Sequence, residues 1–220
     1  DYNQQLMDIP NLLSSKVPQG KDDSENKVVR QWGKPPVFDF KPKDHVELGE
    51  ALDLLDFDKA TKVTGAKFYF LKNRAVLLQL ALEHYALDLL MQEGFTPVFS
   101  PVLAKNEILS GAGFNPRGPE KQIYTLAEEE LSLIATAEIT LNGYYANEVI
   151  PAEKLPVKFV GISECYRREA GSWGRFSKGL YRVHHFTKVE MFIFCKPDQS
   201  ETMHEYLVSL EEKIYQGLKI

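Results

Sequence analysis

KFVGISECYRREAGSWGRFSKGLYRVHHFTKVEMFIF, residues 158–194, is the stretch whose reading decides the fold. Two runs rich in β-branched and aromatic residues flank a loop carrying Gly171, Gly174 and Gly179, and alternation around such turn residues predicts an antiparallel hairpin. Successive strand side chains point to opposite faces. On the second run Val183, Val189, Met191 and Ile193 share one parity and are expected to bury, leaving Arg182, His184, Phe186, Lys188 and Glu190 on the other. On the first run Val160, Ile162 and Tyr166 take the apolar parity, and Gly161, Ser163, Cys165, Arg167 and Glu169 the opposite one. If both apolar faces meet one core, Arg167, Glu169, Arg182, Phe186 and Glu190 look out together as the floor of a cleft.

Two guanidiniums offer rigid forks suited to phosphate or carboxylate oxygens, the ring offers a stacking surface, and the carboxylates accept from amines. Arg182 and Phe186 are separated by about 13 Å at the usual strand rise, room for phosphates at one end and a base at the other. A solvated sheet face with cross-strand ion pairs accounts for the same residue types. Chemistry alone leaves both readings open.

Tyr166-Arg167-Arg168-Glu169, the glycine-bearing loop, then Arg182-Val183-His184-His185-Phe186 and Glu190 resemble motif 2 of the class II aminoacyl-tRNA synthetases. GLYRVHHFTKVEMF, residues 179–192, is similar to the bacterial-type seryl-tRNA synthetases in particular. The resemblance implies an α+β fold, an antiparallel class II synthetase-type sheet flanked by helices, of which this chain carries the first part. It implies ATP binding through Arg167 on the α-phosphate, Glu169 on the adenine amine, Phe186 stacked on adenine and Arg182 at the terminal phosphate. Arg167 also contacts the serine carboxylate in that reading and is the catalytic residue.

Leu131–Leu141, LSLIATAEITL, passes from apolar residues into Thr136-Ala137-Glu138 and then into a new apolar period. Locally this is a helix start, with Thr136 as N-cap and Glu138 near the positive end of the dipole. It also resembles the Thr-x-Glu loop that lines the serine pocket of seryl-tRNA synthetases. Thr136, Glu138, Arg167 and Glu190 are then the serine-binding residues. A pocket that hydrogen-bonds a substrate hydroxyl rejects the analogue lacking it by about 10⁴-fold, because its own polar groups are left unpaired.

Arg74–Glu93 predicts the strongest helix, with Val76, Leu77, Leu80, Ala81, Leu87, Leu90 and Met91 as a broad apolar stripe and Gly94 as its C-cap. Phe95–Leu103 predicts a strand interrupted by Pro97 and Pro101, which favours an edge. Together they resemble motif 1, which implies a homodimer with Pro101 at the interface; an ordinary core helix and edge strand needs no partner. Residues 44–60 predict a helix, 66–71 a strand, 105–119 a mobile loop and Gln122–Leu126 a further strand. A final helix is expected from Asp198 or Ser200, its cap, to about Gln216, ending at Gly217. His45 and His204 read as structural.

Residues 1–36 are polar and punctuated by proline and glycine, and are expected to be a connector following a missing N-terminal helical arm. Residues 37–220 are then a class II catalytic domain lacking its C-terminal part: the third motif and the carboxylate that holds Mg²⁺ are expected beyond Ile220, with no metal site within the segment. The expected partners are serine, serine tRNA and a second copy of the chain.

The sequence of 220 residues is 44% hydrophobic, enough for a sizeable core, and has no apolar run long enough to span a bilayer. A soluble cytoplasmic protein with no membrane partner is the expectation; an organellar form shares the same motifs. The net charge of −5 excludes a wholly basic nucleic-acid glove, although Arg167, Arg168, Arg175, Lys178, Arg182 and Lys188 crowd the hairpin. Only Cys165 and Cys195 are present, too few for a disulfide framework or a cysteine-rich zinc site, and both read as packing residues. Two other classes remain: a synthetase paralogue that adenylates an amino acid for a non-tRNA acceptor, and a non-catalytic regulatory paralogue.

Overall fold

The computed structural model of the chain describes residues 2–7, 9, 12–114, 122–169 and 178–220. The chain divides into two units, Asp1–Asp44 and His45–Ile220. The first has helix α1 (Tyr2–Met7) and a 3-10 turn at Asp23–Glu25 as its regular elements among the described residues, and none of its described side chains is buried. Its described residues form no buried core.

The second unit opens with α2 (His45–Ala51), β1 (Leu55–Asp56), α3 (Phe57–Val63) and β2 (Phe70–Leu71). The helix expected over 44–60 is therefore two helices. Asp53 turns the chain at φ +53°, and Leu55 folds back onto Gly49, where an added Cβ would lie 2.4 Å from the Leu55 side chain. Asp56 then caps α3 by accepting from the Lys59 N–H at 2.8 Å. The strand expected over 66–71 shrinks to β2, paired antiparallel with β1.

Next comes α4 (Arg74–Gln92), closed by Gly94 at φ +81° with the Phe95 N–H donating to the Leu90 carbonyl at 3.0 Å. This is the glycine cap its sequence predicts. The chain continues through β3 (Thr96–Phe99), β4 (Leu103–Lys105), α5 (Asn106–Gly111), β5 (Leu131–Leu133), α6 (Ala137–Asn142), β6 (Val157–Tyr166), β7 (His185–Phe194) and α7 (Ser200–Leu218). The loop expected over 105–119 thus begins as a helix, and its residues 115–119 lie outside the described ones, as do Gly171, Gly174 and Arg175 of the hairpin loop. Gln122–Leu126 contributes an isolated bridge between Thr125 and Ser132 rather than a strand.

The central sheet has the order β3-β6-β7. β6 and β7 pair antiparallel from Val157 opposite Phe194 to Tyr166 opposite His185, the hairpin read from the sequence. β3 pairs parallel in this sheet: it runs alongside β6, with Thr96 opposite Phe159 and Phe99 opposite Ile162. A parallel neighbour requires a long crossover, and the connection through β4, α5, β5 and α6 supplies it.

The apolar parity of the hairpin turns inward, with Val160, Ile162 and Val183 buried and Tyr166, Val189, Met191 and Ile193 half-buried. Val160 packs with Leu90 and Phe95, and with Leu210 of α7, flanked by Val189, Met191 and Ile193. α4 and α7 approach closely there: Gly217 lies inside α7, and a Cβ on it would sit 2.0 Å from the Tyr85 hydroxyl. Gly217 is therefore kept bare by packing, and the helix ends one residue later at Leu218, with Lys219 as its C-cap in the left-handed conformation. Neither Asp198 nor Ser200 caps α7; a 3-10 turn at Pro197–Gln199 leads into it.

The opposite face is not the continuous open floor that parity alone implies. α6 lies on it, burying Ala137 and Leu141 against Phe159 with Phe192 and Phe194 alongside. Gly161 makes this contact possible, since a Cβ there would be 2.9 Å from both the Ala137 Cβ and the Leu141 Cδ1. Only the end of this face toward Arg167 remains for a site.

Candidate active site

The register of the hairpin sets small residues of β6 against large functional ones of β7. Gly161 faces Glu190, Ser163 faces Lys188 and Cys165 faces Phe186. Directly opposed residues share a face, so the three small side chains leave space for the three large ones. Beyond the last ladder pair, the Arg167 N–H donates to the His184 carbonyl at 3.0 Å, which carries Arg167 onto that face too.

Arg167 is fixed from three directions. Its Nε donates to the Ala135 carbonyl at 3.2 Å, its guanidinium carbon lies 5.1 Å from the centre of the Phe186 ring, and its own carbonyl lies 2.8 Å from His184 Nδ1. The Nη pair of the fork is not engaged with Ala135 and keeps its two-pronged geometry for an anion. His184 in turn sits between the rings of Phe68 at 5.1 Å and Tyr124 at 6.2 Å.

At the other end Thr136 caps α6, in extended backbone conformation, and accepts from the Glu138 N–H at 3.3 Å. Its hydroxyl donates to Glu190 Oε2 at 2.6 Å, and the Glu138 N–H also donates to Glu190 Oε2 at 3.0 Å. Glu138 thus enters through its backbone as well as its residue type. Lys188 Nζ reaches Glu190 Oε1 at 2.7 Å and the Thr136 hydroxyl oxygen at 2.5 Å. The local helix-cap reading and the pocket reading of Thr136 describe the same group.

Glu169 and Arg182 are paired with each other, Arg182 Nη1 donating to Glu169 Oε2 at 3.2 Å. Glu169 adopts φ +46°, a conformation uncommon for a residue with a side chain, and its carboxylate is largely shielded while Arg182 is exposed. Arg182 follows the turn Gly179–Tyr181, which α2 holds. His45 Nε2 accepts from the Leu180 N–H at 3.0 Å, its ring meets Tyr181 edge-on at 4.9 Å, and a Cβ on Gly179 would collide with it. His45, read as a lone structural histidine, anchors the hairpin's return turn.

Thr136, Glu138, Arg167, Phe186 and Glu190 therefore converge, and Glu169 with Arg182 adjoins them at the hairpin's open end. Pro101 is exposed between β3 and β4. Lys188 is the residue the motif reading passed over. Its place two residues before Glu190 puts it on the same strand face, a signal present in the sequence. Burial raises the Cys165 thiol above its ordinary pKa, and the Ser163 hydroxyl lies 3.3 Å from its sulfur. Cys165 is a packing residue beneath the site and stays protonated at neutral pH.

Residues 124–220 match the family model of the tRNA synthetase class II core domain (G, H, P, S and T). The serine--tRNA ligase of Treponema denticola is 55% identical over 212 residues, covering 96% of this chain and 50% of that protein. Residues 124–220 thus carry a class II tRNA synthetase core domain. The chain superposes on the seryl-tRNA synthetase from Pyrococcus horikoshii complexed with ATP with a TM-score of 0.93 at 38% identity, over 97% of this chain and 52% of that one. It superposes on the cytoplasmic serine-tRNA ligase from Naegleria fowleri in complex with AMP with a TM-score of 0.88 at 28% identity, over 97% of this chain and 52% of that one. The chain spans about half the length of the curated relatives it matches. Among the described residues no group of three or more His, Cys, Asp or Glu side chains could hold a metal ion. No described helix is long and apolar enough to cross a membrane.

Proposed function

We propose that the chain is part of a seryl-tRNA synthetase. The observation that carries this reading is the convergence, on one end of one sheet face, of the Arg167–Phe186 stack with the Thr136–Glu138–Glu190 cluster. One end suits a nucleotide and the other a small amino acid with an ammonium and a hydroxyl.

A serine carboxylate oxygen attacks the α-phosphorus of ATP, forming the P–O bond of the mixed anhydride as the bond to the bridging oxygen breaks and pyrophosphate leaves. The terminal ribose hydroxyl of serine tRNA then attacks the seryl carbonyl, giving the ester and releasing AMP. Arg167 bridges the carboxylate and the α-phosphate and stabilises charge on the pentacoordinate phosphorus, a role in which positioning and electrostatics supply most of the acceleration. Phe186 stacks on adenine, Glu169 accepts from its amine and Arg182 reaches the terminal phosphate. The Glu169–Arg182 ion pair joins one guanidinium nitrogen to one carboxylate oxygen and holds these two residues side by side. Thr136, Glu138 and Glu190 take the serine ammonium and hydroxyl.

The same reading makes the protein a homodimer working in the cytoplasm, with Pro101 at the subunit interface. It is supported by the exposed apolar face of α4, where Leu77 is 65% accessible, and by Phe99 on the edge strand β3 at 81%. Residues 1–36 serve as a connector and 37–220 as the first part of the catalytic domain.

Serine-dependent ATP–pyrophosphate exchange by the full-length parent protein tests the activity. Exchange with serine and charging of serine tRNA are expected. Exchange without charging identifies the paralogue that feeds another acceptor, and failure to bind ATP identifies a non-catalytic module.

A further inference from the structure

Lys188 lies on the site face of β7 between Phe186 and Glu190, with its side chain 28% exposed and that of Glu190 19%. Its ammonium donates to both Glu190 Oε1 and Thr136 Oγ1. An ammonium donates only, so the Thr136 oxygen must accept from it, and the single Thr136 hydroxyl proton is directed to Glu190 Oε2. The ring Lys188, Thr136, Glu190 is thereby closed in one sense.

A carboxylate offers about four lone-pair positions. On Glu190 the Thr136 hydroxyl and the Glu138 N–H occupy Oε2, and Lys188 occupies one position on Oε1. One acceptor position remains, on Oε1, and Lys188 fixes its direction by holding that oxygen. The opposing β6 residue is Ser163, small enough to let Lys188 lie along the sheet toward Thr136.

We propose that Lys188 is a positioning residue of the amino-acid pocket, which fixes the proton direction of Thr136 and leaves Glu190 one oriented acceptor for a small hydroxylated amino acid. This rests on the serine-activating reading of the site. The predicted role is recognition, not chemistry at phosphorus: Lys188 touches neither Arg167 nor Phe186 through any hydrogen bond or ring contact among the described residues.

The test uses the full-length parent protein and serine-dependent ATP–pyrophosphate exchange with Lys188→Met, which keeps chain length and removes the donor, and Lys188→Arg, which keeps a donor-only cation. Lys188→Met is expected to raise KM for serine at least tenfold, to leave KM for ATP within twofold, and to reduce the preference for serine over alanine by a similar factor. Lys188→Arg is expected to recover most of each loss, which a purely packing role does not predict. Serine-dependent stabilisation in a thermal-shift titration gives a second readout independent of turnover, and for a poorly folding Lys188→Met it is measured on Lys188→Gln. A serine KM within twofold of wild type, or equal rises in both KM values, overturns the inference. Wild-type protein that exchanges with another amino acid but not serine overturns the underlying reading instead.

Discussion

Gly161→Ala tests the arrangement at its tightest point. An added Cβ would stand 2.9 Å from the Ala137 Cβ and 2.9 Å from the Leu141 Cδ1, both on α6 and both buried. Carbon atoms settle at about 3.5 Å, so α6 must retreat by about 0.6 Å or β6 must bend. Overpacking of this kind costs about 1–3 kcal/mol, and each kcal/mol lowers the melting temperature of a unit this size by about 2–4 °C. The displacement has a second readout. α6 begins immediately after Thr136, and the Glu138 N–H lies in its first turn, so the 2.6 Å and 3.0 Å bonds to Glu190 are strained by the same shift. A misplacement of 1 Å at a reacting site costs about 10²-fold, so a shift of about 0.6 Å is expected to lower kcat/KM for serine by about tenfold while KM for ATP stays within twofold. Differential scanning calorimetry and pyrophosphate exchange on the full-length protein measure the two effects. An alanine variant that melts with wild type and activates serine normally would refute the close packing of α6 on the sheet.

Three further outcomes follow from the same geometry. Arg167→Lys retains the charge but loses the fork that bonds Ala135 and stacks on Phe186, and adenylate formation in single-turnover assays is expected to fall about 10²-fold or more; a rate within a few-fold of wild type removes Arg167 from the mechanism. Glu190→Ala is expected to weaken serine activation far more than ATP binding by isothermal calorimetry, and equal losses contradict its assignment. Glu93 is held below the usual carboxylate range by hydrogen bonds from Lys213 at 2.7 Å and Tyr206 at 3.2 Å, so it stabilises the fold above its unfolded pKa of about 4.5 and ceases to as the pH falls through its folded value. The melting-temperature gap between wild type and Glu93→Gln should therefore be open at neutral pH and close in acid; a gap that widens on acidification contradicts the sign.

The hairpin was legible because strict alternation distinguishes its faces, and Arg167 and Phe186 lie together as that alternation requires. The coverage of the face was not. Gly161, Ser163 and Cys165 share a parity with Arg167, and nothing in alternation distinguishes a small residue under a helix from one beneath a ligand. The first helix was overextended because its apolar spacing continues through Leu54 and Leu55, whereas tertiary contact between Leu55 and Gly49 forces the turn. Gly217 was read as a helix end on local grounds, yet it is the Tyr85 hydroxyl that requires a bare Cα there. The parallel direction of β3 depends on a crossover that no local window contains. Motif knowledge singled out Glu169 and Arg182 separately, and their mutual ion pair emerges only when the two strand ends are brought together.

The clasp between His45 and the Leu180 N–H joins positions 135 apart in the chain. Closing a flexible loop of that length costs about 4 kcal/mol by the logarithmic length rule, so nothing local can secure it early. On a ribosome, the helix bearing the imidazole emerges long before the turn it will grip. The turn Gly179–Tyr181 should accordingly be among the last elements to lock, and amide exchange at Leu180 should report a late, separately opening patch even where the sheet itself is fully protected.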